Sequence, residues 1–222
     1  MKRDDWWLDH RRVALHQPTK TLLVADLHLG YLVARRQAGE AIPTESLAEE
    51  LFPLELAWQE LQPACLVIAG DLVERNSPGL FAAFARWAES RNIPIAGLVP
   101  GNHDSNLKEC PIPILKQGHK VGRWHVRHDD AADSLPIVHG HRHPALALPG
   151  HGMAPCFVYL PERLVLPAYS RHAAGGSVTR KTIIPWDSAE VIASGGQRLE
   201  SLGTIDTIRS VLAPDKKTRR RP

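Results

Sequence analysis

The stretch Ile95-Ala96-Gly97-Leu98-Val99-Pro100-Gly101-Asn102-His103-Asp104 decides the reading of the whole chain: a short apolar run that ends on Gly-Asn-His-Asp. An apolar run of this length marks a strand covered on both faces, and such a strand delivers its last side chains to the open edge of a sheet. The same device occurs three more times. Leu22-Leu23-Val24-Ala25 runs into Asp26-Leu27-His28, Leu66-Val67-Ile68-Ala69 into Gly70-Asp71, and Ile137-Val138 toward Gly140-His141-Arg142-His143. Carboxylates, an amide oxygen and imidazoles brought to one rim make a mixed oxygen and nitrogen ligand set, which suits Mn²⁺, Fe or Zn better than Ca²⁺. Enough ligands are present for two metals.

Composition narrows the class. The chain has 222 residues, 43% of them hydrophobic and 23% charged, which is the balance of a globular protein with a sizeable core. Its opening, Met1-Lys2-Arg3-Asp4-Asp5-Trp6-Trp7, lacks the apolar centre of a secretory signal, and no uninterrupted apolar stretch reaches membrane-spanning length, so a cytoplasmic location without membrane attachment is expected. Cys65, Cys110 and Cys156 are too few and too scattered for a disulfide framework or a thiolate metal site. The formal charge of +3 is concentrated in the tail Lys216-Lys217-Thr218-Arg219-Arg220-Arg221. A terminus of this kind is expected to be disordered, and it is compatible with phosphate contacts.

Along the chain, Arg12 to His16 and Thr21 to Ala25 read as a hairpin turning at Gln17-Pro18-Thr19-Lys20. A polar loop is expected from Gly30 through Arg35, Arg36, Gly39 and Pro43. Leu47, Leu51, Leu54, Trp58 and Leu61 then follow helical spacing, with Thr44 as the expected cap and Pro53 as a kink. Cys65 to Ala69 is a strand, Pro78 opens a helix that buries Leu80, Phe81, Phe84 and Trp87, and Ile93 to Val99 is the next strand, the alternation of a largely parallel sheet. After Asp104 come short strands around residues 113–115, 124–126, 135–138, 156–160 and 164–166, predicting a second, mostly antiparallel sheet. Residues 1–190 are expected to form one domain, with residues 191–222 a peripheral segment that ends in the basic tail.

The ordered set Asp26-Leu27-His28, Gly70-Asp71, Gly101-Asn102-His103-Asp104, a lone histidine, then Gly140-His141-Arg142-His143 resembles the signature of the calcineurin-like metallophosphoesterase superfamily. Softer matches at residues 21–30, Gly39 to Pro43, Leu166-Pro167-Ala168-Tyr169 and Gly175-Gly176 resemble its bacterial branch of ligase-associated DNA damage response phosphoesterases or endonucleases. The resemblance implies an α/β fold, a four-layer αββα sandwich of two packed mixed β-sheets. It also implies a binuclear, Mn-dependent phosphodiesterase acting on DNA, single-stranded in particular, with repair helicases and ligases as partners. A small-molecule or cyclic-nucleotide phosphodiesterase is the alternative, and a non-catalytic scaffold of the same fold is the third reading. No aromatic cluster flanks the ligands in the sequence to advertise a nucleoside pocket.

Carried over residue by residue, the resemblance makes Asp71 a bridge between two cations, gives Asp26, His28 and His143 to one, and Asn102, His128 and His141 to the other. For the lone histidine both His128 and His139 are candidates; His128 is preferred because the corresponding ligand in the family comes from a separate strand end. His103 remains as general acid for the leaving alkoxide, with Asp104 beside it to fix its tautomer. Arg142, between two ligands, ranks first for a substrate phosphate, ahead of Arg35, Arg36, Arg127 and His172. Family members commonly carry Lys where this chain has Tyr31, so no phosphate contact is expected there.

Overall fold

The computed structural model describes residues 1–74, 78–105, 107–130, 136–148, 152–173 and 175–212. The basic tail expected to be disordered lies outside the described residues. The first sheet has six strands in sequence order: β1 (Lys2–Arg3), β2 (Trp6–Asp9), β3 (Val13–His16), β4 (Thr21–Val24), β5 (Cys65–Ala69) and β6 (Ile95–Val99). Its first four strands pair antiparallel and β4, β5 and β6 pair parallel. Three helices belong to this half, α1 (Tyr31–Gln37), α2 (Leu47–Leu61) and α3 (Pro78–Glu89).

The second sheet gathers β7 (His119–Val121), β8 (Trp124–Val126), β9 (Ile137–His139), β10 (Pro144–Leu148), β11 (Gly152–Leu160), β12 (Arg163–Val165), β13 (Gly176–Ser177), β14 (Glu190–Ser194) and β15 (Leu199–Thr204), followed by α4 (Ile205–Leu212). It is mixed: β9 runs parallel to β8 and to β12, and β10 to β13, while the remaining pairs are antiparallel.

Side-chain alternation along the strands builds the layers, because successive residues face opposite sides of a sheet. In β4 and β5, Leu22, Val24, Leu66 and Ile68 face Leu51 and Leu54 of α2 and Phe81 and Phe84 of α3. Leu23, Ala25, Val67 and Ala69 face the other way, against Trp124, Val126, Val138, Phe157 and Leu164 of the second sheet. On the far side of that sheet Cys156, Val158, Val165 and Val191 pack against Ile184 and against Ile205 and Ile208 of α4. Three apolar layers between four layers of structure make the αββα sandwich.

Three expectations are corrected and two strands are added. Residues Tyr31 to Gln37 of the expected polar loop form α1. The cap of α2 is Ser46 rather than Thr44: its hydroxyl accepts the Glu49 N–H at 3.3 Å while the Glu49 carboxylate accepts the Ser46 N–H at 2.7 Å, a reciprocal capping box. The strands β1 and β2 precede the expected hairpin. Finally, the sheet continues past residue 190, since β14 pairs with β11 and puts Val191 and Ile192 fully in the core.

Candidate metal centre

Asp26, His28, Asp71, Asn102, His128, His141 and His143, all singled out in the sequence, meet at one rim. The loops after β4 and β5 prolong the parallel pairing of their strands, with Asp26 N–H on the Gly70 carbonyl at 3.0 Å and His28 N–H on the Asp71 carbonyl at 2.9 Å. This holds Asp26, His28 and Asp71 level with one another. The second sheet contributes from above: Gly140 N–H reaches the His128 carbonyl, and His141 N–H reaches the Asp26 carboxylate at 2.9 Å.

Getting so many side chains to point inward takes an unusual backbone. Among the described residues, ten non-glycine residues have positive φ, and five of them are Asp26, His28, Asp71, His141 and His143. A left-handed backbone at such residues costs on the order of 1 kcal/mol or more each and persists where the surroundings over-determine it, as at functional sites. The glycines of two motifs serve close approach instead. A Cβ at Gly101 would stand 2.1 Å from Asp71 Oδ1, and one at Gly140 2.3 Å from Asp26 Oδ2.

The polar atoms form two connected groups. On one side, His28 Nε2 lies 3.4 Å from His143 Nε2, and His143 Nε2 lies 3.4 Å from Asp26 Oδ1. On the other, Asn102 Oδ1 lies 2.9 Å from His128 Nε2 and 3.1 Å from His141 Nδ1, with the two ring nitrogens 3.0 Å apart. Asp71 joins them. Its Oδ1 accepts the His103 N–H at 2.8 Å, which leaves Oδ2 facing His128 Nε2 at 3.5 Å and His28 Nε2 at 3.9 Å.

This donor set fits a cation pair. Asp26 and Asp71 are buried, and among the described residues neither has a lysine or arginine within ion-pair distance. Buried carboxylates need a partner or a metal. His128 Nδ1 faces the Ala69 carbonyl at 3.3 Å, so its proton belongs there, and Nε2 then presents a lone pair to the Asn102 oxygen, itself an acceptor. Converging lone pairs of this kind are what a cation organises. Burial, and then His143, lowers the pKa of His28, keeping its imidazole neutral as ligation requires. Asp26, His28 and His143, and likewise Asp26, Asp71 and His128, each bring one ligand atom within 4.8 Å of the others.

Several residues take other places than expected. Asp104 does not touch His103 in the expected way. Its Oδ1 accepts the Leu72 N–H at 2.9 Å and its Oδ2 the Gly101 N–H at 2.9 Å, so it ties the Asp71 loop to the Asn102 loop. His103 instead sets Nδ1 on the Glu74 carbonyl at 2.8 Å. Glu74, not singled out in the sequence, also brings Oε2 to 2.8 Å from His28 Nδ1, a close approach rather than a well-aligned hydrogen bond. The only signal for it was a carboxylate three residues beyond Asp71.

Arg142 points away from the centre, bonding the Ile183 carbonyl at 2.6 Å and Asp130 at 2.6 Å. Arg35 pairs with Glu40, and Arg36 is exposed on α1. His139 is fully buried, with Nδ1 toward the Gly140 carbonyl at 3.0 Å, and burial lowers its pKa to about 4. Of the two candidates for the lone ligand, then, His128 stands among the ligand atoms and His139 in the core behind them.

The rim lies between two hollows. One, of about 310 Å³, is lined by Asn102, His128 and His141 together with Lys116 and Arg127. The other, of about 480 Å³, begins at His28 and includes Tyr31, Arg171 and His172. Tyr31 and His172 stack with planes 12° apart, so aromatic rings do flank the ligands, contrary to the sequence expectation.

A family model described as calcineurin-like phosphoesterase matches residues 19–164, well over half of the chain. A comparison with curated proteins found no match. Among solved structures, a Pseudomonas putida nuclease MPE superimposes with a TM-score of 0.70 at 22% identity, covering 89% of this chain and 94% of its own. Yfce, a phosphoesterase from E. coli, gives a TM-score of 0.40 at 16% identity over 83% of this chain and 98% of its own.

Proposed function

The chain belongs to the calcineurin-like phosphoesterase family, a family of metal-dependent hydrolases that use a divalent metal pair, and on that premise we propose that it is a Mn-dependent phosphodiesterase that cleaves single-stranded DNA in repair. The observation that carries the reading is the position of Asp71 Oδ2, between the His28 group and the His128 group, at the point where one carboxylate oxygen serves both halves of the ligand set. In this proposal Asp26, His28, Asp71 and His143 hold one cation, and Asp71, Asn102, His128 and His141 the other. Two divalent ions there supply charge for the phosphoryl oxygens and lower the pKa of water toward about 7.

The protein's own residues do the rest. His103 is the residue to hand a proton from Nε2 toward the leaving oxygen, because Nδ1 is committed to the Glu74 carbonyl at 2.8 Å and Nε2 is the ring nitrogen left for the substrate. Asp104 keeps the two ligand loops in register. Lys116 and Arg127 on one side and Arg171 on the other give a strand's phosphates cationic neighbours in both directions from the centre. That the P. putida structure is a nuclease of this fold is compatible with a nucleic-acid substrate. The mixed donor set without thiolate supports Mn²⁺ over softer-ligand metals. Cytoplasmic location and repair helicase and ligase partners belong to the same proposal through the branch resemblance; no helix among the described residues is long and apolar enough to cross a membrane.

The test is a substrate panel with Mn²⁺ saturating: single-stranded DNA, duplex DNA, RNA, cyclic nucleotides and bis-p-nitrophenyl phosphate. The proposal expects the single-stranded oligonucleotide to be cleaved fastest of the nucleic acids, with a steep fall between low and moderate salt that the small ester does not share. Preference for a cyclic nucleotide over every oligonucleotide would assign the centre to small phosphodiesters instead.

A further inference from the structure

The larger hollow extends the proposed active centre, and the role assigned to it rests on the nucleic-acid reading. Its volume of about 480 Å³ falls among small-ligand sites, which span about 300–1,000 Å³. His28, one of the proposed ligands, is among its lining residues, so the hollow adjoins the proposed metal centre.

The walls have an uneven chemistry. Tyr31, three residues beyond His28, and His172 lie at that end with ring planes 12° apart and centroids 6.4 Å apart, a parallel aromatic pair. His172 is held by Glu45, whose Oε2 is 3.4 Å from Nε2, and by its N–H on Ser170 Oγ at 3.3 Å. Further along, Phe52 projects from α2 with 56% of its surface exposed, a large apolar side chain left at the edge of the hollow. Glu50 also lines the hollow, and among the described residues no lysine or arginine pairs with it. Burial pushes its carboxyl up to about 7, so near neutral pH it has both hydrogen-bond donor and acceptor capacity.

We propose that this hollow receives one unstacked nucleobase of the strand being cut, its face on the Tyr31–His172 pair and its edge toward Glu50, while the adjoining phosphate lies at the metal centre. A base is flat and apolar on its faces and polar on its edge, which is the combination the walls present. Base–aromatic stacking tolerates any base, so the subsite selects for an available base rather than a sequence. A paired base offers neither its face nor its edge without being extruded, so the hollow itself favours single strands.

The direct readout needs no catalysis. A single-stranded oligonucleotide carrying one 2-aminopurine, titrated with the full chain in EDTA, should lose fluorescence on binding as the base stacks. Tyr31→Ala should abolish that quench and lower kcat/KM for the oligonucleotide with Mn²⁺ by about 5- to 100-fold, the range of losing one stacked base; Tyr31→Phe should restore both. Hydrolysis of bis-p-nitrophenyl phosphate should be unchanged in both variants, and His172→Ala should likewise abolish the quench. A quench that survives Tyr31→Ala and His172→Ala, or equal losses on oligonucleotide and small ester, would overturn the subsite and leave the nuclease reading standing. A wild-type protein that hydrolyses the small ester but neither binds nor cleaves an oligonucleotide would overturn the nucleic-acid reading, and the subsite with it.

Discussion

His103 and Asp104 are neighbours in the chain with separate tasks in the fold. The His103 ring rests on the Glu74 carbonyl with 35% of its side chain exposed, while Asp104 is buried against backbone N–H groups of Gly101, Leu72 and Val73. His103→Ala should therefore slow cleavage of DNA, whose alkoxide leaving group needs a proton, by about 100-fold or more, and slow bis-p-nitrophenyl phosphate hydrolysis far less. Asp104→Ala should instead lower stability by about 2–4 kcal/mol in urea unfolding, since it strands several buried donors. The residues that converge at the rim were legible in the sequence because their chemistry is local, each following closely on an apolar run. The place of Arg142 could not be read from its position between two histidines, because its guanidinium goes to Asp130 and to the Ile183 carbonyl, the latter distant in sequence. Glu74 was invisible because its value comes from His28 and His103, far apart in sequence.

At the scale of elements, α2 shows how a helix breaker becomes a fastening point. Pro53 lies inside the helix, and the Leu54 N–H donates to the Tyr169 hydroxyl at 3.1 Å, which in turn donates at 3.0 Å to the carbonyl of Glu50, four residues before Leu54. A side chain has been inserted into the helical ladder. Since Tyr169 and Ser170 donate their N–H groups to Ala25 and Asp26, this insertion braces the loop beneath the metal ligands. Tyr169→Phe removes both of these hydrogen bonds and should cost about 1–3 kcal/mol, read as a lower urea midpoint at constant m. The same helix also carries a pH dependence. The Glu50 carboxyl is raised from 4.5 to about 7, mainly by burial, so between those values the folded state binds the more protons and stability falls as pH rises. Glu50→Gln should raise the melting temperature at pH 8 and barely change it at pH 5. Helical spacing announced α2 and α3 clearly. It could not announce α1, whose seven residues bury only Leu32, nor the Tyr169 insertion, which joins two distant segments.

For the whole molecule, the four-layer order follows from strands whose alternate residues serve different cores; burial of those strands on both faces was legible as uninterrupted apolar runs, while the layer order came from the family resemblance. The extent of the second sheet was not. β14 follows a long stretch without strands, 178–189, and its place beside β11 depends on pairing across some 35 residues of chain. What the assembly achieves is a single edge at which both sheets end, and where two buried carboxylates face imidazoles rather than lysine or arginine. The central claim is that this edge holds two cations about Asp71. Anomalous diffraction at the manganese edge from crystals grown with Mn²⁺ tests it most directly. The account predicts two peaks, one among Asp26, His28 and His143, the other among Asn102, His128 and His141, with Asp71 touching both; one peak, or two that do not share Asp71, would contradict it.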